Sequence, residues 1–243
     1  MEEPSKLLLG LEAARGLAEY GLGLLFNTPL RFISPHGDGH PVIVIPGLGA
    51  NDSSTQYLRN FLDSIGYLSY KWGLGRNLGP RQGMDKLADD LVKRVQEVSA
   101  ENGGKQISLI GWSLGGIYSR EIAKLCPDII RQVITLGTPF KSISEGTNVG
   151  KIYEILSKDK SIQNPEILRK LSEPPPVPFT SLYSKTDGVV HWECSIEDES
   201  PISQNIEVPG ASHLGLGHNP ITMFLIADRL THTRDDWVPF KAR

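Results

Sequence analysis

The sequence is poor in cysteine and has no surplus of basic residues. Its 243 residues include two cysteines, Cys126 and Cys194, which are too few for a disulfide framework and lack the paired spacing of a zinc site. We expect two free thiols in preference to one bridge. With 25 basic and 28 acidic side chains the formal net charge is −3, so the chain cannot neutralise a nucleic-acid backbone effectively. We expect no nucleic-acid partner, no metal site and no cofactor.

Long apolar runs are also missing. No stretch reaches the roughly 18 apolar residues needed to cross a bilayer, and the first residues, MEEPSK, are acidic where a secretory signal would be basic. These two observations predict a cytoplasmic location. Hydrophobic residues still make up 39% of the chain, which is enough for the core of one domain, and no internal repeat divides it. We therefore expect residues 1–243 to form a single domain.

Short apolar runs alternate with segments of helical periodicity along most of the chain. Because parallel strands require a crossover between them, this alternation predicts an α/β fold with a mostly parallel central sheet and helices on both faces. The predicted strands are 41–45, 67–72, 106–111, 131–136, 179–183 and 204–208, and the predicted helices are 51–65, 80–101, 114–125 and a last helix that begins near His218.

Two segments stand outside this alternation. Residues 1–35 contain an amphipathic helical stretch at 5–26 that carries seven large apolar residues: Leu7, Leu8, Leu11, Leu17, Leu22, Leu25 and Phe26. We expect this helix to pack its apolar side on the core, and contact with a membrane or lipid surface is the alternative, although the helix has no basic face. Residues 141–178 hold short helical pieces and the exit PPPVP, which predicts a small helical cap over the carboxyl edge of the sheet.

The stretch ISLIGWSLGG, residues 107–116, runs from a predicted strand into a G-x-S-x-G pattern centred on Ser113. A nucleophile on such a turn adopts strained backbone geometry, and the residues two positions away must be small to avoid collisions. Gly111 and Gly115 meet that requirement. The helix that follows directs its positive amino-terminal end towards developing negative charge. The pattern therefore predicts a nucleophilic serine.

From about residue 40 to residue 231 the sequence resembles the α/β-hydrolase superfamily, in particular its lipase and esterase branch. The resemblance implies an oxyanion hole made by the backbone N–H groups of Leu114 and of Leu48, which lies in the segment PGLG. Many family members have His-Gly there, whereas this chain has Pro46 before Gly47, a change that leaves the backbone donor available. The segment LGTPF, 136–140, is also similar to one that follows a strand in many lipases.

A serine hydroxyl needs a base, and the base needs a carboxylate to orient it. The family order of serine, acid and histidine assigns the acid to Asp187 in SLYSKTDGVV and the base to His213 in VPGASHLGLGHNP. The other candidates for the acid are Asp198, Glu193 and Glu197, and the other histidines considered are His218 and His191.

Apolar residues near these positions suggest the substrate. Trp112 either lines a substrate groove or packs beneath the turn, and we predict that Trp112, Phe140 and Leu214 bind an uncharged acyl chain. The combined prediction is a serine esterase or lipase that works through an acyl-enzyme on a small-molecule or lipid ester. An acyltransferase or thioesterase with the same triad is the alternative, followed by a non-catalytic binding protein of this fold. The oligomeric state is left open.

Overall fold

A computed structural model describes residues 4–142, 147–148 and 164–241. Its centre is a six-stranded sheet in the order β2-β1-β3-β4-β5-β6, in which every pair of neighbours is parallel. The strands are β1 (Pro41–Ile45), β2 (Leu68–Lys71), β3 (Ile107–Trp112), β4 (Ile130–Leu136), β5 (Phe179–Tyr183) and β6 (Ser203–Glu207). The predicted parallel sheet is confirmed, and all six predicted strands are present.

Helices connect the strands and cover both faces of the sheet. In the described residues they are α1 (Lys6–Ile33), α2 (Gln56–Ser64), α3 (Met84–Glu101), α4 (Leu114–Leu125), α5 (Pro165–Ser172) and α6 (Pro220–Leu230). One apolar cluster joins α3 and α4 to one face of the sheet, through residues such as Val95, Ile117 and Leu109. The other joins α2 and α6 to the opposite face, through residues such as Phe61, Met223 and Ile110. This layering confirms the predicted α/β architecture.

Several helices begin later than predicted. The segment 51–55 forms turns before α2, and residues 80–83 form a turn that ends at Gly83 with φ of 94°, so that α3 begins at Met84. The last helix begins after His218, because the Asn219 side chain accepts the Ile221 N–H and caps α6. Turn chemistry of this kind moves helix boundaries without changing which helices form.

The orientation expected for the amino-terminal helix is wrong. The buried face of α1 consists of Glu12, Gly16, Glu19, Gly23 and Leu30, whereas the large apolar residues of the predicted stripe are mostly exposed, Leu17 to 72% and Leu25 to 71%. The physical reason lies in the segments against which the helix packs. Beneath its polar face lie loops whose backbone N–H groups need hydrogen-bond acceptors, which leucines do not supply.

Part of the predicted 141–178 cap falls within the described residues. There α5 begins with Asn164, whose side chain accepts the Glu166 N–H, and Leu171 of α5 packs into the core cluster on the α4 side. Residues 143–146 and 149–163, which make up half of the predicted cap, lie outside the described residues.

Two other sequence-based expectations bear on the chain as a whole. Both cysteines are free thiols, as expected, with Cys194 buried and Cys126 half-buried. Among the residues that the structure describes, no helix has the length and apolar character to cross a membrane.

Candidate active site

Ser113 stands on a sharp turn between β3 and α4. Its φ of 53° and ψ of −123° make it the only non-glycine residue with positive φ in the described part of the chain. Such a conformation costs on the order of 1–3 kcal/mol and persists only where the surroundings enforce it. Here the Ser113 N–H donates to Leu136 O at 2.8 Å, and the Thr138 hydroxyl donates to Ser113 O at 2.9 Å. The turn is therefore held from the neighbouring strand β4.

The glycines around Ser113 are required by close packing. A Cβ at Gly111 would collide with Gly116, and one at Gly115 would collide with the backbone of Ile45 and Pro46. Gly116 is equally restricted, because a Cβ there would overlap the Thr138 side chain. The spacing that singled out Ser113 in the sequence thus reflects the close approach of β1, β3, α4 and the Thr138 side chain around the turn.

His213 and Asp187 are in direct contact. The His213 Nδ1 atom lies 2.7 Å from Asp187 Oδ2, and both residues are buried. The other carboxylate oxygen, Asp187 Oδ1, accepts the backbone N–H groups of Val189 and Val190, each at 2.8 Å. These two bonds fix the carboxylate on the loop after β5, so that it orients the imidazole.

The surroundings of His213 raise its pKa. Burial by itself favours the neutral ring and lowers the pKa, but the negative charge and hydrogen bond of Asp187 outweigh burial, and the carboxylate of Glu12 adds to the same effect. The ring is thereby adapted to accept a proton. With Nδ1 bonded to Asp187, Nε2 remains as the proton acceptor.

Ser113 and His213 line the same cavity of about 380 Å³. The rest of its wall is mostly apolar or small and includes Leu48, Ala50, Trp112, Val189 and Leu214. Within the described residues the Ser113 hydroxyl makes no hydrogen bond to the His213 ring; contacts of this kind often tighten only when substrate binds. The structure places Ser113 on the same cavity as His213, which is bonded to Asp187; these are the three residues that the sequence assigned to the triad.

The predicted oxyanion donors lie beside the serine. A Cβ placed on Gly47 would be 3.1 Å from Ser113 Cβ, so the PGLG loop passes directly over the nucleophile. In the described part of the chain the neighbouring Gly49 and Ala50 N–H groups are bonded, whereas no hydrogen bond engages the Leu48 N–H. The Leu114 N–H begins α4 and has no preceding helical turn to bond. Two unbonded donors thus flank Ser113.

Asn77 braces this loop, and sequence reasoning did not identify it. Its side chain is buried and donates to Pro46 O at 2.8 Å, while its backbone accepts the Gly49 N–H and donates to Ala50 O. Asn77 lies in the glycine-rich segment WGLGRNLGP, residues 72–80, which follows β2.

The three residues predicted to bind substrate have different positions. Trp112 and Leu214 line the cavity, and the Trp112 indole also donates to His213 O at 3.0 Å. The prediction for Phe140 is wrong. Its side chain is buried beneath α4, where it packs against Phe179 and under the Arg120 guanidinium at 3.9 Å from the ring centroid. A buried arginine needs aromatic and carboxylate partners, and Phe140 serves as one of them.

The alternative acids all lie away from His213. Glu197 is buried in ion pairs with Arg120 at 2.6 Å and Lys141 at 2.8 Å. The Asp198 side chain is 99% exposed, and Glu193 lies at the surface 3.7 Å from His191. The other histidine of the last loop, His218, packs among the rings of Tyr20, Tyr57 and Trp112 instead of facing Asp187, and burial lowers its pKa.

Polar residues of α1 hold the loops that carry Asp187 and His213. Glu12 accepts the backbone N–H groups of Gly188 at 2.8 Å, His213 at 3.2 Å and Leu214 at 3.0 Å. Glu19 accepts the Ser212 N–H at 2.8 Å and the Asn219 side chain at 2.9 Å.

A third residue, Arg15, donates to Thr186 O at 2.7 Å and to Gly210 O at 3.1 Å. Sequence reasoning missed all three residues. The available signal was their spacing of three and four positions, which places them on one face of a helix that is otherwise nearly free of charge.

A second Ser-His-Asp arrangement lies at the opposite edge of the sheet. His40 Nε2 is 2.8 Å from the Ser108 hydroxyl, and Nδ1 is 2.5 Å from Asp38 Oδ1. Burial and the positive charge of Arg131 lower the pKa of His40 to about 4. Ser108 is fully buried near the start of β3, so a substrate cannot reach its hydroxyl. This arrangement is structural, and it shows that the three residue types alone do not define a catalytic site.

No metal site accompanies these residues. Among the residues described, no group of three or more histidine, cysteine, aspartate or glutamate side chains is placed to hold a metal ion.

Comparison with known proteins gives a sequence match over the region that carries the PGLG loop and Ser113. The family model described as palmitoyl protein thioesterase matches residues 41–176. A triacylglycerol lipase of Pseudarthrobacter phenanthrenivorans is 30% identical over 111 residues, which are 42% of this chain and 34% of that protein. The chain therefore spans about a third of the length of this curated relative.

Solved structures of the same fold extend over most of the chain. Lipase B of Aspergillus fumigatus matches with a TM-score of 0.61 and 18% identity over 83% of this chain and 55% of that chain. A monoacylglycerol lipase of Paleococcus ferrophilus matches with a TM-score of 0.59 and 17% identity over 82% of this chain and 96% of that chain. These similarities confirm the α/β-hydrolase fold. Because the family model matches more than half of the sequence, the chain belongs to the palmitoyl protein thioesterase family.

Proposed function

We propose that this protein is a serine carboxylic-ester hydrolase that acts on esters with an apolar acyl chain. Ser113 is the nucleophile, His213 the general base and Asp187 the residue that orients His213. The observation that carries the proposal is the convergence of these residues: His213 is bonded to Asp187 at 2.7 Å and shares one largely apolar cavity with a strained serine.

The reaction proceeds in two steps. His213 Nε2 takes the proton from the Ser113 hydroxyl as the oxygen attacks the ester carbonyl carbon. The resulting oxyanion accepts hydrogen bonds from the Leu48 and Leu114 N–H groups, an interaction worth roughly 3–4 kcal/mol per donor in comparable enzymes. The bond to the leaving alcohol breaks, and the alcohol takes the proton from His213. His213 then takes a proton from water, whose oxygen attacks the acyl-enzyme; as the bond to Ser113 breaks, the Ser113 oxygen takes this proton from His213 and the acid is released.

The substrate class follows from the cavity wall. Leu48, Ala50, Val189 and Leu214 offer apolar contact, and within the described part of the chain His213 is the only acidic or basic side chain that lines this cavity. Apolar contact of this kind favours an acyl chain by about 25 cal/mol for each Å² removed from water. The relatives named as triacylglycerol lipases support a lipid ester as substrate.

A thioester is the second candidate, favoured by the match to the palmitoyl protein thioesterase model. The same residues cleave either bond, because the acyl-enzyme is identical and only the leaving group differs. An oxygen ester and a thioester with the same acyl chain, compared by kcat/KM, separate the two candidates. Product analysis in the presence of an added alcohol tests for acyl transfer in place of hydrolysis.

The direct test uses p-nitrophenyl esters of increasing acyl length with purified protein. We expect turnover by the unaltered protein and a loss of at least about a thousandfold in Ser113→Ala. Ser108→Ala is the matched control, since Ser108 belongs to the buried Ser-His-Asp arrangement at the other edge of the sheet. The control should retain turnover as long as it remains folded. Equal activity in Ser113→Ala and the unaltered protein would refute the proposal.

A further inference from the structure

A second cavity lies between α1 and α2, beside the cavity that holds Ser113. Its volume is about 770 Å³, and Ser54, Trp112 and Leu214 line both cavities. The two cavities therefore adjoin at these shared residues.

About half of the wall of this second cavity is polar, whereas the wall of the catalytic cavity is mostly apolar. Among the residues that the structure describes, many of those in its lining donate or accept hydrogen bonds, and none is an aspartate or glutamate. The polar residues with the longest reach are Asn27, Arg31, Gln56, Tyr57, Asn60 and His218. The two cavities thus differ in the chemistry that they can accommodate.

Three polar atoms in this wall are buried and make no hydrogen bond within the described part of the chain. They are Asn27 Oδ1, Arg31 Nε and the Tyr57 hydroxyl. Leaving a buried donor or acceptor unpaired costs about 1–3 kcal/mol, so native proteins pair nearly all of them. Each of these atoms has almost no accessible surface, so a ligand in the cavity supplies the missing partner when the side chain turns towards it.

Arg31 contributes a positive charge to the wall of this cavity. Arg31 forms no ion pair with any residue that the structure describes. Burial raises the pKa of Tyr57, so its hydroxyl remains a donor, and burial lowers the pKa of His218, which leaves that ring neutral. The carboxylate of Glu19, which lies near His218, is already engaged by Ser212 and Asn219. Of the described residues that line this cavity, Arg31 is therefore the one that carries a positive charge.

The geometry points to a subsite for an anionic leaving group. In this inference, which rests on the proposed hydrolase function, the acyl chain occupies the apolar cavity, and an oxyanion on the alcohol portion of the ester is bound by Arg31 and Tyr57. Asn27 Oδ1 accepts a hydrogen bond from a hydroxyl of the same leaving group. A phosphate and a carboxylate share this chemistry, because each offers the oxygens that a guanidinium binds in pairs.

The test compares esters that differ only in the charge of the leaving group. One pair is the octanoyl esters of 4-hydroxybenzoate and of its neutral amide, and the other is 1-octanoylglycerol 3-phosphate and 1-octanoylglycerol. We expect Arg31→Met to lower kcat/KM for the anionic member about ten- to a hundredfold more than for the neutral member, the range of a lost charged hydrogen bond. The pair with the larger effect identifies the anion as carboxylate or phosphate.

Lys93→Met is the control variant, because it removes the same charge from an exposed residue of α3 on the other side of the sheet. It should leave the ratio between anionic and neutral esters unchanged. Tyr57→Phe keeps the ring but removes the hydroxyl, and it should lower the same ratio by a smaller factor than Arg31→Met. A ratio unaltered by Arg31→Met, or one altered equally by Lys93→Met, would overturn the inference.

Binding measurements separate this inference from the proposed function. Calorimetric titration of Ser113→Ala with glycerol 3-phosphate and with 4-hydroxybenzoate does not depend on turnover. Binding of either probe that is lost in Ser113→Ala/Arg31→Met supports the subsite even if no ester is hydrolysed. Hydrolysis of neutral esters together with no Arg31-dependent binding and no Arg31-dependent preference would leave the proposed function intact and reject the subsite.

Discussion

The Glu12 carboxylate accepts the backbone N–H of His213 at 3.2 Å, although the two residues lie 201 positions apart in the sequence. The same oxygen also accepts the Gly188 N–H, next to Asp187. The amino-terminal helix therefore contacts both loops that build the His213–Asp187 pair. The buried charge of Glu12 also adds to the electrostatic field that raises the pKa of His213.

The first prediction concerns this carboxylate. Glu12→Gln keeps one acceptor oxygen but removes the negative charge, so the pKa of His213 should fall. Because His213 accepts a proton only when neutral, activity is lost as pH falls through its pKa, and the acidic limb of kcat/KM should move to lower pH in the variant. The measurement is the pH profile of ester hydrolysis.

Glu101→Gln, at the exposed end of α3, is the control and should leave the acidic limb in place. Glu12→Gln should also lower the free energy of unfolding by about 1–3 kcal/mol, because one buried N–H loses its acceptor. An acidic limb at the same pH in Glu12→Gln and the unaltered protein would show that the charge of Glu12 does not act on His213.

The second prediction uses the glycines of α1. At Gly23 a Cβ would lie 2.5 Å from His218 O and 2.9 Å from the Tyr57 hydroxyl, whereas Gly10 and Gly21 have open space around them. Gly23→Ala should therefore destabilise the protein, while Gly10→Ala and Gly21→Ala should stabilise it by about 0.5–1 kcal/mol through helix propensity. Urea unfolding of the three variants measures the difference. Stabilisation by all three substitutions would mean that α1 does not pack closely on the His218 loop.

The third prediction concerns the buried ion pair of Arg120 and Glu197. Burial opposes ionisation of Glu197, but Lys141 and Arg120 outweigh burial and lower its pKa. Since this pKa is lower in the folded than in the unfolded protein, the stabilisation is present above the ordinary pKa of glutamate and is lost as pH falls through the folded-state pKa. Glu197→Gln should lower the free energy of unfolding by about 3–5 kcal/mol near pH 7, because Arg120 loses its buried counter-charge.

The cost of Glu197→Gln should shrink as the pH is lowered towards 3, which denaturant unfolding at several pH values will measure. Glu173→Gln removes an exposed partner of Arg169 and should change stability by less than about 0.5 kcal/mol at any of these pH values. A cost for Glu197→Gln that stays constant from pH 7 to pH 3 would contradict the assigned ion pair.

Much of the fold followed from the sequence because the relevant signals are local. Buried parallel strands are short β-branched runs such as PVIVI at 41–45, and the crossovers between them dictate a parallel sheet. The turn at Ser113 could also be predicted from the sequence, since two glycines at fixed spacing indicate a local steric requirement. Asp187 and His213 could be chosen because chain order in the family fixes which loops reach the same edge of the sheet.

The remaining features depend on contacts between distant segments. Apolar periodicity shows that α1 has two faces but not which of them is buried, and the acceptors needed by the backbone around His213 are invisible in the sequence. Phe140 was misplaced because the direction of a side chain after a strand depends on its neighbours, here the buried Arg120. Some helices begin later than predicted because a turn precedes them, such as the turn before Met84, and apolar periodicity does not indicate such turns.

The most direct test of the central claim is active-site labelling with a fluorophosphonate, followed by mass spectrometry of the digested protein. The account predicts one adduct, on the Ser113 hydroxyl, absent in Ser113→Ala and slowed in His213→Ala, while Ser108→Ala is labelled like the unaltered protein. Absence of any adduct on the folded, unaltered protein, or an adduct on a serine other than Ser113, would contradict it.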